Sequence, residues 1–365
     1  MQPGKVVVIY GARRVGKTTL IRKLVDEWSA QNHKVLFVNG DDIFTRQYLE
    51  SRSIQKLRDF VGNHDLLVVD EAQYVDGIGS NLKLIVDHMP DVRVIATGSS
   101  SFDLSEDIGE PLTGRKFVVH MHPFSQLEIS QIEAPHETTA NLESRLIYGS
   151  YPEVVTMRDD ALRREYLHDM TGSTLFRDIL ALDGIRRSEK LLKLLQLLAF
   201  QIGKEVSVQE LGTRLNMSKT TVSNYLDLLE KVFVIHRRGG FSRNLRKEIT
   251  KNARYYFYDN GIRNAVIRQL NPLEIRDDHG ALWENYIVCE RLKRNECLGI
   301  RPSGYFWRTY DKKEIDLVED LDGKLSGYEI KWKDPVKKIR GDWQTAYPGA
   351  DFQVIHRENY LKFIL

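Results

Sequence analysis

The chain has 365 residues, 42% hydrophobic and 28% charged, with a formal net charge of +2, the profile of a globular protein of two or three domains rather than a disordered or fibrous one. Its two cysteines, Cys289 and Cys297, are too few for a disulfide framework, and their spacing fits neither a zinc knuckle nor a redox pair. No apolar run reaches the roughly 18–20 residues of a membrane span, and the opening methionine leads into Val6-Val7-Val8-Ile9 without a basic, cleavable leader; no membrane partner and a cytoplasmic location are expected.

Residues 1–135 alternate short apolar runs with helical patterns. Val6–Tyr10, Lys34–Asn39, Leu66–Asp70, Arg93–Thr97 and Lys116–His120 read as strands, with helices over Thr18–Ser29 and Asn81–Met89. This βαβ alternation predicts an α/β domain with a parallel sheet covered on both faces.

The first strand runs into Gly11-Ala12-Arg13-Arg14-Val15-Gly16-Lys17-Thr18, a match to G-x-x-x-x-G-K-S/T between a strand and a helix that opens at Thr19. Glycines let main-chain N–H groups curl around phosphate oxygens, and the helix N-terminus faces the same anion. Lys17 would serve the β- and γ-phosphates of ATP, and the Thr18 hydroxyl would ligate Mg²⁺. Leu66-Leu67-Val68-Val69 then delivers Asp70 and Glu71 at a strand end, where ligands bind in open α/β sheets. Asp70 would hold Mg²⁺ directly or through water, and Glu71 would orient the attacking water. Arg93–Thr97 ends in small hydroxyl residues; Thr97 or Ser99 would sense the γ-phosphate, or serve as a turn residue. Arg115 reads as an arginine finger, a sensor or a surface ion-pair residue.

Residues 136–270 turn helical. Leucines at 191, 192, 194, 195, 197 and 198 make a thickly apolar helix over Glu189–Ile202. A short helix over Ser207–Leu215, a turn at Asn216-Met217-Ser218 with Ser218 as N-cap, and a second helix over Lys219–Lys231 follow. With Val232–Arg238 and Arg254–Tyr258 as wing strands, the segment resembles a winged helix-turn-helix. Lys219, Thr220, Ser223 and Asn224 would reach into a DNA major groove, and the basic run Arg237, Arg238, Arg243, Arg246, Lys247 would meet phosphates. The competing reading is a protein-contact module.

Residues 271–365 place Glu284 near the start of a helix over Ala281–Arg294, Asp316 on a strand, and Glu329 and Lys331 two apart on the next strand, hence on one face. That order is the layout of the PD-(D/E)xK nuclease core, a restriction-endonuclease-like α/β fold. Asp316 and Glu329 would bind Mg²⁺, Glu284 would complete the acidic set, and Lys331 would stabilise phosphate charge. The competing reading is the same fold kept as a scaffold with its acids in ion pairs. Downstream, Gln344-Thr345-Ala346-Tyr347 is similar to a helical Gln/Tyr motif of some nucleases of this fold.

On Gly11–Thr19, Val69-Asp70-Glu71-Ala72-Gln73, Thr97-Gly98-Ser99, Leu112-Thr113-Gly114-Arg115, Gly149-Ser150-Tyr151-Pro152, Arg177-Asp178 and the Glu284–Lys331 segment, the chain resembles a family of prokaryotic AAA+-type P-loop ATPases. Their C-terminal domain has long been labelled as of unknown function. The resemblance implies ATP and Mg²⁺ as cofactors, an ASCE-type sheet and homo-oligomers, since AAA+ relatives often form rings; DNA as a partner is expected from the helix-turn-helix-like segment and its basic run. The chain departs from the family in opening almost directly on the first strand, and no second-sensor arginine motif stands out.

Overall fold

The computed structural model describes residues 4–99, 112–174, 188–242, 252–309, 313–333 and 341–365. Arg243, Arg246, Lys247 and the Arg177-Asp178 pair lie outside the described residues. The chain forms two compact units. The first runs to His122 and includes Lys231–Phe233; the second begins at Pro123 and takes in the C-terminus.

In the first unit β1 (Val6–Gly11), α1 (Lys17–Ala30), β2 (Val35–Asn39), α2 (Ile43–Leu49), α3 (Ile54–Val61), β3 (Leu66–Asp70), α4 (Ile78–His88), β4 (Arg93–Gly98) and β5 (Lys116–Met121) follow in order. The sheet order is β2-β3-β4-β1-β5 and every pairing is parallel. Successive strand residues point to opposite faces. Leu67 and Val69 join Leu82 and Ile85 in one core, while Leu66 and Val68 join Ile21 of α1 in another. The run Leu66–Val69 is apolar throughout because both faces of its strand are covered. The insertion of β4 between β1 and β3 decides the site, because it brings three strand ends together instead of two.

The second unit carries α5 (Leu142–Tyr148), α6 (Ser188–Phe200), β6 (Glu205–Val206), α7 (Val208–Leu215), α8 (Lys219–Lys231), β7 (Ile235–Gly240), β8 (Ala253–Phe257), α9 (Asn260–Val266), α10 (His279–Cys297), β9 (Ser303–Arg308), β10 (Glu314–Leu321), β11 (Lys324–Ile330) and β12 (Asp351–Ile355). Leu191, Leu194, Leu195 and Leu198 bury the inner face of α6. Ser207 caps α7 by accepting the Glu210 amide, and Ser218 accepts the Thr221 amide at 3.0 Å at the start of α8.

The strands form one sheet, β12-β11-β10-β9-β7-β8-β6. Its middle is the parallel pairing of Gly239 and Gly240 with Tyr305 and Phe306, extended by the Phe241 amide donating to the Phe306 carbonyl at 2.6 Å. The expected wing strands and the expected C-terminal strands are therefore hydrogen-bonded neighbours, with no break in the sheet near residue 270. The first continuous stretch of the first unit runs to His122. Tyr347 of the Gln/Tyr segment is a core residue, packed with Phe241, Trp307 and Trp343. Among the described residues no helix is long and apolar enough to cross a membrane.

Candidate functional site

The glycine loop leaves β1 with Arg14 and Gly16 at φ 62° and 98°, left-handed values that glycine takes without strain. Gly11 lies against β5 so closely that a Cβ would stand 2.2 Å from the Met121 carbonyl oxygen. Val15 is buried, Arg13 is half-buried, and Arg14 and Thr19 are exposed. The Arg13 guanidinium donates to the Tyr74 hydroxyl at 2.9 Å. Lys17 is 6% exposed and its ammonium donates to the Gly11 and Ala12 carbonyls at 2.7 and 2.8 Å, folded onto the loop that it would leave to meet a phosphate.

Opposite the loop, the Thr18 hydroxyl donates to Asp70 Oδ2 at 2.9 Å. The other oxygen of Asp70, Oδ1, accepts from the Thr97 hydroxyl at 2.5 Å. Thr97 Oγ1 in turn accepts the Glu71 amide at 3.0 Å. This chain of bonds crosses the C-terminal ends of β3 and β4 to the start of α1. Between Thr97 and Ser99, it is Thr97 that touches Asp70; Ser99 is buried two residues on. Glu71 turns out of the strand at φ 52°, and its carboxylate accepts from the Gln73 amide. An oxygen set of one hydroxyl and one carboxylate suits Mg²⁺, which keeps most of its waters and takes few protein ligands. Thr18 and Asp70 fit that role.

Arg115 does not join this site. Its carbonyl accepts the Val6 amide at 2.8 Å, at the start of β1. A six-residue strand rising about 3.3 Å per residue puts it roughly 16 Å from the glycine loop, at the other end of the sheet. Its Nε donates to Asp87 Oδ1 at 2.6 Å, so within this chain it pairs with a carboxylate of α4.

In the second unit Glu284, Asp316, Glu329 and Lys331 do converge. Lys331 Nζ is 2.5 Å from Glu329 Oε1 and 3.8 Å from Asp316 Oδ2, and Asp316 Oδ2 accepts the Ile330 amide at 2.8 Å. Glu284 Oε1 accepts from the Tyr256 hydroxyl at 2.7 Å. Gly203, at φ 72°, makes room for Glu284: a Cβ there would stand 2.8 Å from the carboxylate. Burial pushes the Glu284 and Glu329 carboxyls up, and the charge of Asp316 adds to both shifts. Burial likewise raises Asp316, against the pull of Lys331.

The arrangement contains a residue outside the expected set. Arg254 of β8 is 4% exposed, with Nη2 at 2.6 Å from Glu314 Oε2 and Nη1 at 3.4 Å from Asp316 Oδ1 and 3.6 Å from Glu284 Oε1. Asp316 and Glu329, expected to hold a metal, face cations of the chain itself here. Among the described residues no three His, Cys, Asp or Glu side chains are placed to hold a metal ion. Arg254 and Tyr256 lie two apart on one strand and thus on one face, but their partners on β10 and α10 are distant in sequence.

On α8, Lys219, Thr220 and Asn224 are exposed and Ser223 is half-buried. Arg237 is exposed on β7. Arg238 is half-buried: its guanidinium lies so close to Gly304 that a Cβ there would overlap it, its Nε is buried without a hydrogen-bond partner, and burial lowers its pKa.

Residues 3–130 match the family model of an AAA domain. Residues 139–273 and 279–341 match two further models, each described as a domain of unknown function (DUF8612 and DUF4143). An uncharacterized protein of Haemophilus influenzae is 25% identical over 99% of this chain and 88% of its own length. One of Mycobacterium tuberculosis is 28% identical over 89% and 70%, and one of Methanocaldococcus jannaschii 24% over 87% and 72%. Among solved structures, AMPPCP-bound DnaA from Aquifex aeolicus aligns over 63% of this chain and 82% of its own at 16% identity and a TM-score of 0.33. Cdc6p from Pyrobaculum aerophilum aligns over 74% and 88% at 15% and 0.26. Scores of this size leave fold and function to be argued from the chain itself.

Proposed function

We propose that the chain binds ATP with Mg²⁺, hydrolyses it in the AAA-type unit, and couples nucleotide state to nucleic-acid binding by the second unit. The observation that carries the ATPase reading is the bonded set Thr18–Asp70–Thr97 facing the Lys17 loop. ATP would lie along the main-chain amides of residues 11–18, with Lys17 moved from the Gly11 and Ala12 carbonyls to its phosphates. Mg²⁺ held by Thr18 and Asp70 would offset phosphate charge. Glu71, freed from Gln73, would orient the attacking water, and Thr97 fixes the direction of the Asp70 carboxylate. The test is steady-state hydrolysis by the wild type and Lys17→Ala; an unchanged rate in the variant removes the assignment.

The nucleic-acid reading is supported by the element order α6-β6-α7-α8-β7-β8, the antiparallel β6-β8-β7 set and the exposed polar start of α8, as in a winged helix-turn-helix. Binding through Lys219 and Arg237 should weaken steeply with salt, as phosphate contacts do. Labelled duplex, single-stranded DNA and RNA titrated at several salt concentrations decide it; no binding at low salt sinks it.

A second reading is favoured by Arg254: a nucleotide-dependent regulatory protein whose nuclease-like segment does not cleave. Mg²⁺- or Mn²⁺-dependent nicking that disappears in Lys331→Ala would reject this reading in favour of a cleaving enzyme.

A further inference from the structure

We propose that the Arg254 guanidinium, standing between Glu284 and Asp316, is the resident cation of the C-terminal carboxylate cluster and, with Lys331 against Asp316 and Glu329, leaves the wild-type cluster taking up no Mg²⁺ or Mn²⁺. This rests on the nuclease-like reading of the C-terminal segment and says why its acids are retained.

Mg²⁺ asks for oxygen ligands at about 2.0–2.1 Å in a near-octahedral shell. Here Asp316 Oδ1 and Glu284 Oε1 both face Arg254 Nη1, at 3.4 and 3.6 Å. Asp316 Oδ2 is taken by the Ile330 amide and Lys331, Glu284 Oε1 also by Tyr256, and Glu329 Oε1 by Lys331. Glu329 Oε2 is buried without a hydrogen-bond partner, but both Asp316 oxygens, Glu284 Oε1 and Glu329 Oε1 each already face a donor or cation of the chain. Arg254 is built in rather than draped over the cluster. It leaves a strand that is buried along its whole length, its guanidinium lies 4.6 Å from the Phe306 ring centre, and Glu314 holds its second nitrogen. Arginine keeps its charge at every accessible pH, so the neutralisation is permanent. A flat, delocalised cation balances carboxylates but does not polarise water as a divalent ion does.

The test reads ion occupancy, not cleavage, so an absence of nicking for any other cause does not count for or against it. Full-length protein carrying Asp70→Asn, to silence the nucleotide-site metal, is titrated with Mn²⁺ without nucleotide and free Mn²⁺ is followed by electron paramagnetic resonance. No bound ion is expected at the cluster. Adding Arg254→Gln should create one Mn²⁺ site, and adding Asp316→Asn to that variant should remove it. A folded Arg254→Gln variant that gains no site overturns the proposal. Where that variant fails to fold, thermal midpoints with millimolar Mn²⁺ decide. No shift is expected in Asp70→Asn, and a Mn²⁺-dependent rise that Asp316→Asn abolishes overturns the proposal.

Discussion

The Thr97 hydroxyl donates to Asp70 Oδ1 at 2.5 Å, and Thr97 Oγ1 accepts the Glu71 amide at 3.0 Å, so one side chain holds the carboxylate of one acid and the main chain of the other. Thr97→Val keeps the shape and removes the bridge. A buried donor left without a partner costs about 1–3 kcal/mol, which lowers turnover by roughly five- to 150-fold if it falls on the transition state. The expected result is a fall in kcat with nucleotide affinity changed far less, read by steady-state hydrolysis and fluorescent-nucleotide titration.

Lys17→Ala should leave the fold intact, because the bonds of its ammonium to the Gly11 and Ala12 carbonyls lie within the loop itself. Hydrolysis should fall by about 100- to 1000-fold, the range for losing one preorganised charge donor. A circular-dichroism melt alongside the rate separates loss of function from loss of fold.

Asp278 gives the acid limb of stability a marker. Burial pushes its carboxyl up, but the Arg276 hydrogen bond and the Arg263 charge outweigh that and hold it at about 2. A depressed folded value stabilises the protein above the unfolded value near 3.9 and loses that contribution as pH falls through the folded one. Asp278→Asn should therefore lower the melting temperature at pH 6, with the difference from wild type shrinking between about pH 4 and pH 2. A difference that is flat across this window rejects the account.

Gly149→Ala should destabilise by more than about 2 kcal/mol. Gly149 has φ 75°, and a Cβ would stand 2.1 Å from Asp259 Oδ1, whose partner oxygen accepts the Ser150 amide at 2.7 Å. Gly280→Ala, in α10 with nothing within 4 Å of the added carbon, should cost nothing. Urea denaturation of both variants makes the comparison.

The first unit was largely readable from its residues. β3 is the same Leu66–Asp70 run in sequence and structure, because a strand covered on both faces must be apolar throughout and must end where its polar residues begin. Thr97 and Ser99 could not be separated, since both follow an apolar run and only the parallel register says which one stands beside Asp70. The readings of Arg115 stayed open because a motif carries no information about which end of a sheet it occupies, and the structure gives it the ion pair with Asp87. The acids of the C-terminal cluster were legible from their order along the chain. Arg254 was passed over as a wing residue because its partner Glu314 lies 60 positions away, and local patterning does not reach that far. The same distance hid the union of β7 with β9.

That union sets how the protein can be cut. A fragment stopping near residue 270 would strip β9 from β7 and leave a raw row of amides and carbonyls, a template for sticking to other chains. The complementary fragment would lose the strand that supplies Arg254 and keep Glu284, Glu314 and Asp316 without their counter-charge. Dissection by expressing the helical part and the C-terminal part separately should yield aggregates, and a cut after His122 would also part Lys231–Phe233 from the unit to which that stretch belongs.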